Sequence, residues 1–162
     1  NVADLGSAPG SWTQIVRERL TDKNGELKGR IIAMDILPME PIDGVTFLQG
    51  DFREQEVADK LNEILGGDKL DVVISDMAPN LSGIAMVDAN ASLLLNELAL
   101  DFAVEHLKPE GVFVTKAFQG SGYSQFIENC KKHFVSVAQR KPEASRNSSA
   151  EMYVVARRLK NK

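Results

Sequence analysis

The sequence predicts an α/β protein with a mostly parallel seven-stranded sheet, helices on both faces and an antiparallel hairpin at the C-terminal end. Short apolar runs alternate with longer segments of helical period, which is typical of parallel strands joined by crossover helices. The last two apolar runs are separated only by "KPEASRNSSA". This connection is too short for a helical crossover, so these two strands should pair antiparallel.

Seven apolar runs give the predicted strands, at residues 1–5, 30–36, 45–49, 70–75, 111–116, 134–140 and 151–158. The first helix should run from Ser11 to Leu20, with one apolar face made by Trp12, Ile15, Val16 and Leu20. The polar segment "TDKNGELKG", residues 21–29, interrupts the pattern before the second strand, and we assign it no role.

Two longer helices complete the predicted order. One covers 53–65 and ends at the glycine pair "GG". The other covers about 90–107 and ends at "KPEG", where Pro109 and Gly111 cannot continue a helix. The apolar stretch "LLLNELALDFAV" carries two acidic residues, so we expect a helix of a globular protein rather than a membrane segment.

Composition predicts one domain. The 162 residues are 43% hydrophobic and 26% charged, which is ordinary for a globular chain. The single cysteine, Cys130, cannot form an internal disulfide, which suits a cytoplasmic protein. Because the chain opens on Asn1 inside a strand pattern, we expect residues 1–162 to be one domain whose upstream sequence has been removed.

The charge of the chain is unevenly distributed. The net charge is −4, yet residues 131–162 contain nine Lys or Arg against two Glu, a balance of +7, which leaves −11 on the remainder. Such asymmetry fits one face that meets phosphate groups, although a solvated basic tail is an equally good explanation on charge alone.

The motif "DLGSAPG" follows the first strand and precedes a helix. Gly6 and Gly10 permit a tight turn with close approach of a nucleoside to the backbone, and the free N–H groups of the helix favour an anionic group. The pattern is not that of a dinucleotide site, which would need glycine in place of Ala8 and Ser11. An ordinary strand-to-helix turn is the alternative.

Acidic residues end the next two strands. Asp35 lies where a carboxylate commonly accepts hydrogen bonds from the ribose hydroxyls of adenosine, and Asp51, in "LQGDF", lies where one would receive an adenine amino group. Each residue alone has the alternative of a loop or cap aspartate. Together they predict an adenosine pocket beside the glycine turn.

Three further charged residues should converge on the same edge of the sheet. Asp76 ends the fourth strand in "SDMAPN", Lys116 ends the fifth in "VTKAFQG", and Glu151 opens the last strand. An ammonium at the end of an apolar strand needs carboxylate partners or a function. The alternatives are a buried salt bridge between Lys116 and Asp76, and a surface role for Glu151.

These motifs resemble those of the FtsJ/RrmJ family of ribose 2′-O-methyltransferases, and in particular its bacterial RlmE type. The resemblance spans essentially the whole chain. It rests on "DLGSAPGSW", "IIAMDILPMEPIDGVTFLQGDFR", "SDMAPNLSG", "FQG" and "RKPEASRNSSAEMYVVA". It implies a Rossmann-like methyltransferase fold and S-adenosylmethionine as the cofactor.

The resemblance also implies roles for individual residues. The cofactor contacts would be Gly10, Trp12, Asp35, Asp51 and Asp76. The Lys-Asp-Lys-Glu tetrad of the family matches Asp76, Lys116 and Glu151 in its last three members. Its first lysine precedes the first strand in the family and has no match in these 162 residues. We expect no metal ion.

The implied substrate is ribosomal RNA, at a uridine of 23S rRNA in the large ribosomal subunit. Arg140, Lys141 and Arg146 would meet the RNA backbone, and we expect a monomer with no membrane partner. Two alternatives remain: a small-molecule O-methyltransferase, which needs no basic face, and a non-catalytic module for RNA binding or ribosome assembly, which has no use for Lys116. A nicotinamide oxidoreductase is disfavoured by Ala8 and Ser11.

Overall fold

The structure is a computed structural model. It describes residues 1–6, 10–51, 53–76, 84–120, 122–141 and 151–160. The elements are, in chain order, β1 (Val2–Leu5), α1 (Ser11–Leu20), β2 (Ile31–Asp35), β3 (Val45–Gln49), α2 (Gln55–Leu65), β4 (Leu70–Ser75), α3 (Ala85–His106), β5 (Leu107–Phe118), α4 (Tyr123–His133), β6 (Phe134–Arg140) and β7 (Glu151–Leu159).

The strands form one seven-stranded sheet in the order β3-β2-β1-β4-β5-β7-β6. The strands β1 to β5 pair in parallel, and β7 pairs antiparallel with both β5 and β6. The strand order changes direction between β1 and β4. In sheets of this kind, ligands bind in the crevice outside the carboxyl ends of the strands at such a switch point.

Helices cover both faces of the sheet, as predicted. The main hydrophobic core joins Ala3 and Leu5 of β1 to apolar side chains of α2, α3 and α4, including Leu61, Leu100 and Phe126. Residues of a strand alternate between the two faces, so Asp4 faces the opposite side, where it contacts Thr13 of α1. The helix α1 therefore lies alone, among the described helices, on the second face.

The first helix has the predicted bounds but not the predicted buried face. Ile15 is 53% exposed, whereas Thr13 is fully buried. The Thr13 hydroxyl donates a 2.6 Å hydrogen bond to Oδ2 of Asp4, so α1 is rotated to turn this polar contact toward the sheet. This bond supplies a donor to one of the two buried carboxylate oxygens of Asp4, and its contribution offsets the exposure of one isoleucine side chain.

The fifth strand begins earlier than predicted. Its residues 107–110 are extended and include Pro109. The register with β4 shifts between the pairs Leu70–Leu107 and Val72–Val112, and such an irregularity is where a strand tolerates proline. A β-carbon on Gly111 would lie 3.0 Å from the Lys108 carbonyl oxygen and 3.2 Å from that of Asp71, so the backbones approach closely here.

The segment 21–29 forms a compact turn. An isolated antiparallel bridge joins Thr21 to Leu27, and Oδ1 of Asp22 accepts hydrogen bonds from the backbone N–H groups of Asn24 and Glu26. This turn connects α1 to β2. Among the helices in the described ranges, none is both long enough and apolar enough to cross a bilayer.

Substitution of Gly111 by alanine should destabilise the protein, because its β-carbon would meet backbone atoms of two neighbouring segments. We expect the free energy of unfolding to fall by about 1–3 kcal/mol, measured by urea denaturation. The exposed neighbour Glu110→Ala serves as control and should change it by less than about 0.5 kcal/mol. Equal effects of the two substitutions would contradict the close approach.

Candidate active site

Carboxylates gather at the carboxyl ends of β1, β2 and β4, at the switch point of the sheet. Asp4 lies in β1, Asp35 ends β2 and Asp76 directly follows β4. The charges of Asp35 and Asp76 both act on the Asp4 carboxyl. This edge of the sheet therefore carries three acidic side chains, of which Asp76 is paired with Lys116.

Gly10 begins the helix that follows β1. It is the N-cap residue of α1 and has a φ of 117°, a conformation that side chains disfavour. A β-carbon there would lie 3.0 Å from Cδ1 of Ile42 and 3.3 Å from Sδ of Met39. The position therefore requires glycine, as the motif predicts, whereas residues 7–9 of the motif lie outside the described residues.

Trp12, in the first turn of α1, reaches across to the last strand. Its ring centroid lies 5.7 Å from that of Tyr153 in β7, at an angle of 49°. Aromatic pairs in this range of distance and tilt attract each other. The contact fixes the N-terminal end of α1 against the strand that carries Glu151, so the predicted cofactor turn and the predicted catalytic strand are joined directly.

Asp35 and Asp51 lie at the ends of the neighbouring strands β2 and β3. Oδ1 of Asp35 accepts a 3.0 Å hydrogen bond from the backbone N–H of Leu37. The N–H of Gly50 donates to the Asp35 carbonyl oxygen at 2.8 Å, which ties the two strand ends together. Asp51 is paired with Arg53, whose guanidinium holds the pKa of this carboxyl below its usual range.

The structure brings together Asp76, Lys116 and Glu151. Nζ of Lys116 lies 2.6 Å from Oδ1 of Asp76 and 3.9 Å from Oε1 of Glu151. The Lys116 side chain is only 18% exposed, and those of Asp76 and Glu151 are 27% and 33% exposed. The three charges therefore share a half-buried site, and their roles in a reaction remain predictions.

The ionisation of Lys116 follows from two opposing effects. Burial lowers its pKa, but the hydrogen bond and charge of Asp76, together with the charge of Glu151, outweigh burial and raise the pKa above its ordinary value. Lys116 is consequently a charged ammonium at neutral pH in the protein without ligand. It donates hydrogen bonds rather than accepting a proton.

Tyr153 was not predicted as a site residue, although it lies two residues after Glu151. It is the register partner of Lys116 across β5 and β7, so the two side chains share one face of the sheet. Burial and the charge of Asp76 raise the pKa of its hydroxyl, which is thus neutral. Alternation along the last strand was the signal that could have identified it.

Of the three predicted RNA contacts, Arg140 and Lys141 are exposed. Arg140 pairs with Tyr153 across β6 and β7 and so shares the face that holds Lys116 and Glu151. Arg146 lies outside the described residues. The end of β6 that carries Arg140 therefore borders the cluster of Asp76, Lys116 and Glu151.

Comparison with solved structures defines the class of protein. The fold superposes on a ribosomal RNA methyltransferase from Plasmodium falciparum with a TM-score of 0.84 and 31% identity, over 98% of this chain and 85% of that chain. Human methyltransferase-like protein 13, solved with SAH, matches with a TM-score of 0.66 at 17% identity, over 96% and 70%. The fold is that of a Rossmann-like methyltransferase, as predicted.

Sequence comparison gives the family. The model of the FtsJ-like methyltransferase family matches residues 1–159. Ribosomal RNA large subunit methyltransferase E of Bordetella petrii is 55% identical over 160 residues, or 99% of this chain and 76% of the relative. The protein of the same name from Cupriavidus necator is 52% identical over 167 residues, or 98% and 76%. The chain belongs to the FtsJ-like methyltransferase family.

Asp4 should make the stability of the protein depend on pH. Burial, together with the charges of Asp76 and Asp35, raises its pKa from 3.8 to about 6, although the bond from Thr13 opposes the shift. The native state thus binds a proton that the unfolded chain releases, so the Asp4 contribution to the free energy of unfolding falls as the pH rises from about 4 to about 6.

The variant Asp4→Asn lacks this titration. Relative to the wild type, it should gain about 2–3 kcal/mol of stability between pH 4 and pH 7, which is the free energy of a shift of about two pKa units. Urea denaturation across this pH range measures the difference. The exposed carboxylate variant Glu63→Gln is the control. A difference between Asp4→Asn and wild type that stays constant with pH would contradict the assignment.

Proposed function

We propose that this protein transfers the methyl group of S-adenosylmethionine to a ribose 2′-hydroxyl of ribosomal RNA, at a uridine of 23S rRNA in the large subunit. The observation that carries the proposal is the cluster of Asp76, Lys116 and Glu151 beside the glycine turn. The similarity to proteins named ribosomal RNA large subunit methyltransferase E supports the substrate. In this proposal residues 1–162 belong to one monomeric catalytic domain in the cytoplasm, whose upstream part would supply the first lysine of the tetrad.

The residues at the switch point fit the proposed cofactor. Asp35 would accept hydrogen bonds from its ribose hydroxyls and Asp51 from its adenine amino group, while Gly10 and Trp12 form the turn against which it lies. Asp76 lies where the methionine end would be. The negative charge of Asp4 and Asp35, with Asp76 paired to Lys116, suits a ligand whose sulfonium and ammonium groups outweigh its one carboxylate. When bound, the cofactor supplies an electrophilic methyl group.

Lys116 would orient the acceptor hydroxyl. Removal of the hydroxyl proton by a neutral lysine would require its pKa to fall by about three units, or about 4 kcal/mol, and the neighbouring carboxylates raise that pKa instead. We therefore assign its ammonium to a hydrogen bond with the 2′-oxygen, which holds this oxygen in line for attack. The proton of the hydroxyl is released to solvent as the oxygen becomes methylated. Asp76 and Glu151 hold the ammonium in place.

Arg140 and Lys141 would bind the phosphates of the substrate strand next to the reacting ribose. Both are exposed, and Arg140 shares the sheet face of Lys116. A small-molecule methyltransferase would have no use for exposed basic residues at this position. The RNA contact thus distinguishes the proposal from that alternative.

Replacement of Lys116 by alanine should reduce methyl transfer by about 10²-fold or more, because the acceptor oxygen loses its positioning group. Binding of S-adenosylmethionine should remain within about twofold of wild type, since Lys116 does not hold the cofactor in this proposal. Transfer of a radiolabelled methyl group to large-subunit RNA, with calorimetric titration of the cofactor, measures both quantities in the full-length protein. Full transfer activity in the variant across the pH range would rule out this role for Lys116.

The double variant Arg140→Ala/Lys141→Ala should bind RNA with a weaker dependence on salt. Loss of two phosphate contacts should reduce the slope of log K against log salt concentration by about 1.4–1.8, measured by fluorescence titration of an RNA fragment. The double variant Lys23→Ala/Lys60→Ala removes two exposed lysines elsewhere on the molecule and should leave the slope unchanged. Equal slopes for the wild type and both double variants would argue against phosphate contacts by Arg140 and Lys141.

A further inference from the structure

We infer that Arg53 is a positioning residue that fixes the Asp51 carboxylate for recognition of the 6-amino group of adenine. This inference rests on the proposed function, because it takes Asp51 as the adenine contact. Arg53 lies two residues after Asp51, between the end of β3 and the start of α2. It is not among the residues that the motifs predicted.

The contacts between the two residues form a chelate. Nε of Arg53 lies 2.9 Å from both Oδ1 and Oδ2 of Asp51, and Nη2 donates a further bond to Oδ2. The backbone N–H of Arg53 donates to Oδ1 at 2.9 Å. The guanidinium and the backbone N–H of Arg53 thus both donate to the same carboxylate. These contacts restrict the rotation that a short aspartate side chain otherwise has.

The chelate leaves acceptor capacity for a ligand. Three N–H groups of Arg53 donate to the carboxylate: the single Nε–H, which is shared between the two oxygens, one Nη2–H and the backbone N–H. An ionised carboxylate offers about four lone-pair positions, so these three donors leave capacity for one more. An amino group of a ligand would therefore find an acceptor whose direction is already fixed.

Burial places Arg53 on the outer side of the pair. The Asp51 side chain is 17% exposed, whereas that of Arg53 is 53% exposed. The guanidinium is thus the solvent-facing member of the pair, and the Asp51 carboxylate is the shielded one. The preceding residue, Gly50, bonds to the carbonyl oxygen of Asp35, the predicted ribose contact.

A purely structural role for Arg53 would be to close the turn before α2. In that case the loss of Arg53 would lower the stability of the fold, and any change in affinity would be the same for every ligand. A positioning role differs, because it alters discrimination between ligands that present a donor or an acceptor at the purine 6-position. A hydrogen bond to a charged group contributes enough to discriminate by about 10–100-fold.

The test compares binding of S-adenosylhomocysteine and S-inosylhomocysteine, which carries an oxygen in place of the amino group, by calorimetric titration. The wild type should prefer the adenosyl ligand by about 30-fold. Asp51→Ala should abolish the preference, and Arg53→Gln should reduce it at least about fivefold. The double variant should match Asp51→Ala, because the two residues act through one contact.

Two further variants complete the design. Arg53→Lys keeps the charge but lacks the planar fork, so its preference for the adenosyl ligand should fall between those of wild type and Arg53→Gln. The same variant replaces Arg53→Gln in the test if Arg53→Gln fails to fold. Lys60→Gln removes an exposed cation of an ion pair within α2 and should leave the preference unchanged.

The outcomes separate the inference from the proposed function. A full preference in Arg53→Gln or Arg53→Lys, with none in Asp51→Ala, would overturn the inference and leave the adenine role of Asp51 intact. A full preference in Asp51→Ala would overturn both assignments. Failure of the wild type to bind S-adenosylhomocysteine would contradict the proposed function itself, and with it the inference.

Discussion

The ion pair between Lys116 and Asp76 is the interaction on which the candidate site depends. It joins β5 to the residue that follows β4, two strands that are already in register through the sheet. A half-buried ammonium loses part of its hydration, and the effective penalty of burying an ion is several kcal/mol. The 2.6 Å contact with Asp76 and the more distant charge of Glu151 offset this loss, so removal of Asp76 would leave the ammonium with only the distant Glu151 to compensate it.

The surrounding carboxylates impose a second constraint. Asp4, Asp35 and Asp76 lie close enough for the charges of the latter two to raise the pKa of the first. Lys116 pairs with Asp76, and the Asp4 carboxylate has Thr13 as a hydrogen-bond donor. Excess negative charge at one edge of a sheet destabilises the ligand-free protein and stabilises a bound cation by the same electrostatic effect.

The position of β7 connects these two features. Because it lies between β5 and β6 and runs antiparallel to both, its first residues reach the edge at which the parallel strands end. Glu151 and Tyr153 consequently approach Lys116, and the Tyr153 ring contacts Trp12 of α1. A strand with the same sequence at the outer edge of the sheet would carry Glu151 one strand further from Lys116.

The sequence by itself determined the number of strands and their succession along the chain, the glycine turn and the set of acids at strand ends. These depend on local periodicity and on the rule that parallel strands end at one edge. Only the tertiary structure decided the rotation of α1, which buries Thr13 in place of Ile15, and the place of β7 inside the sheet. Each of these is set by contacts between side chains and strands whose energies compete across the fold, so local patterns do not specify them.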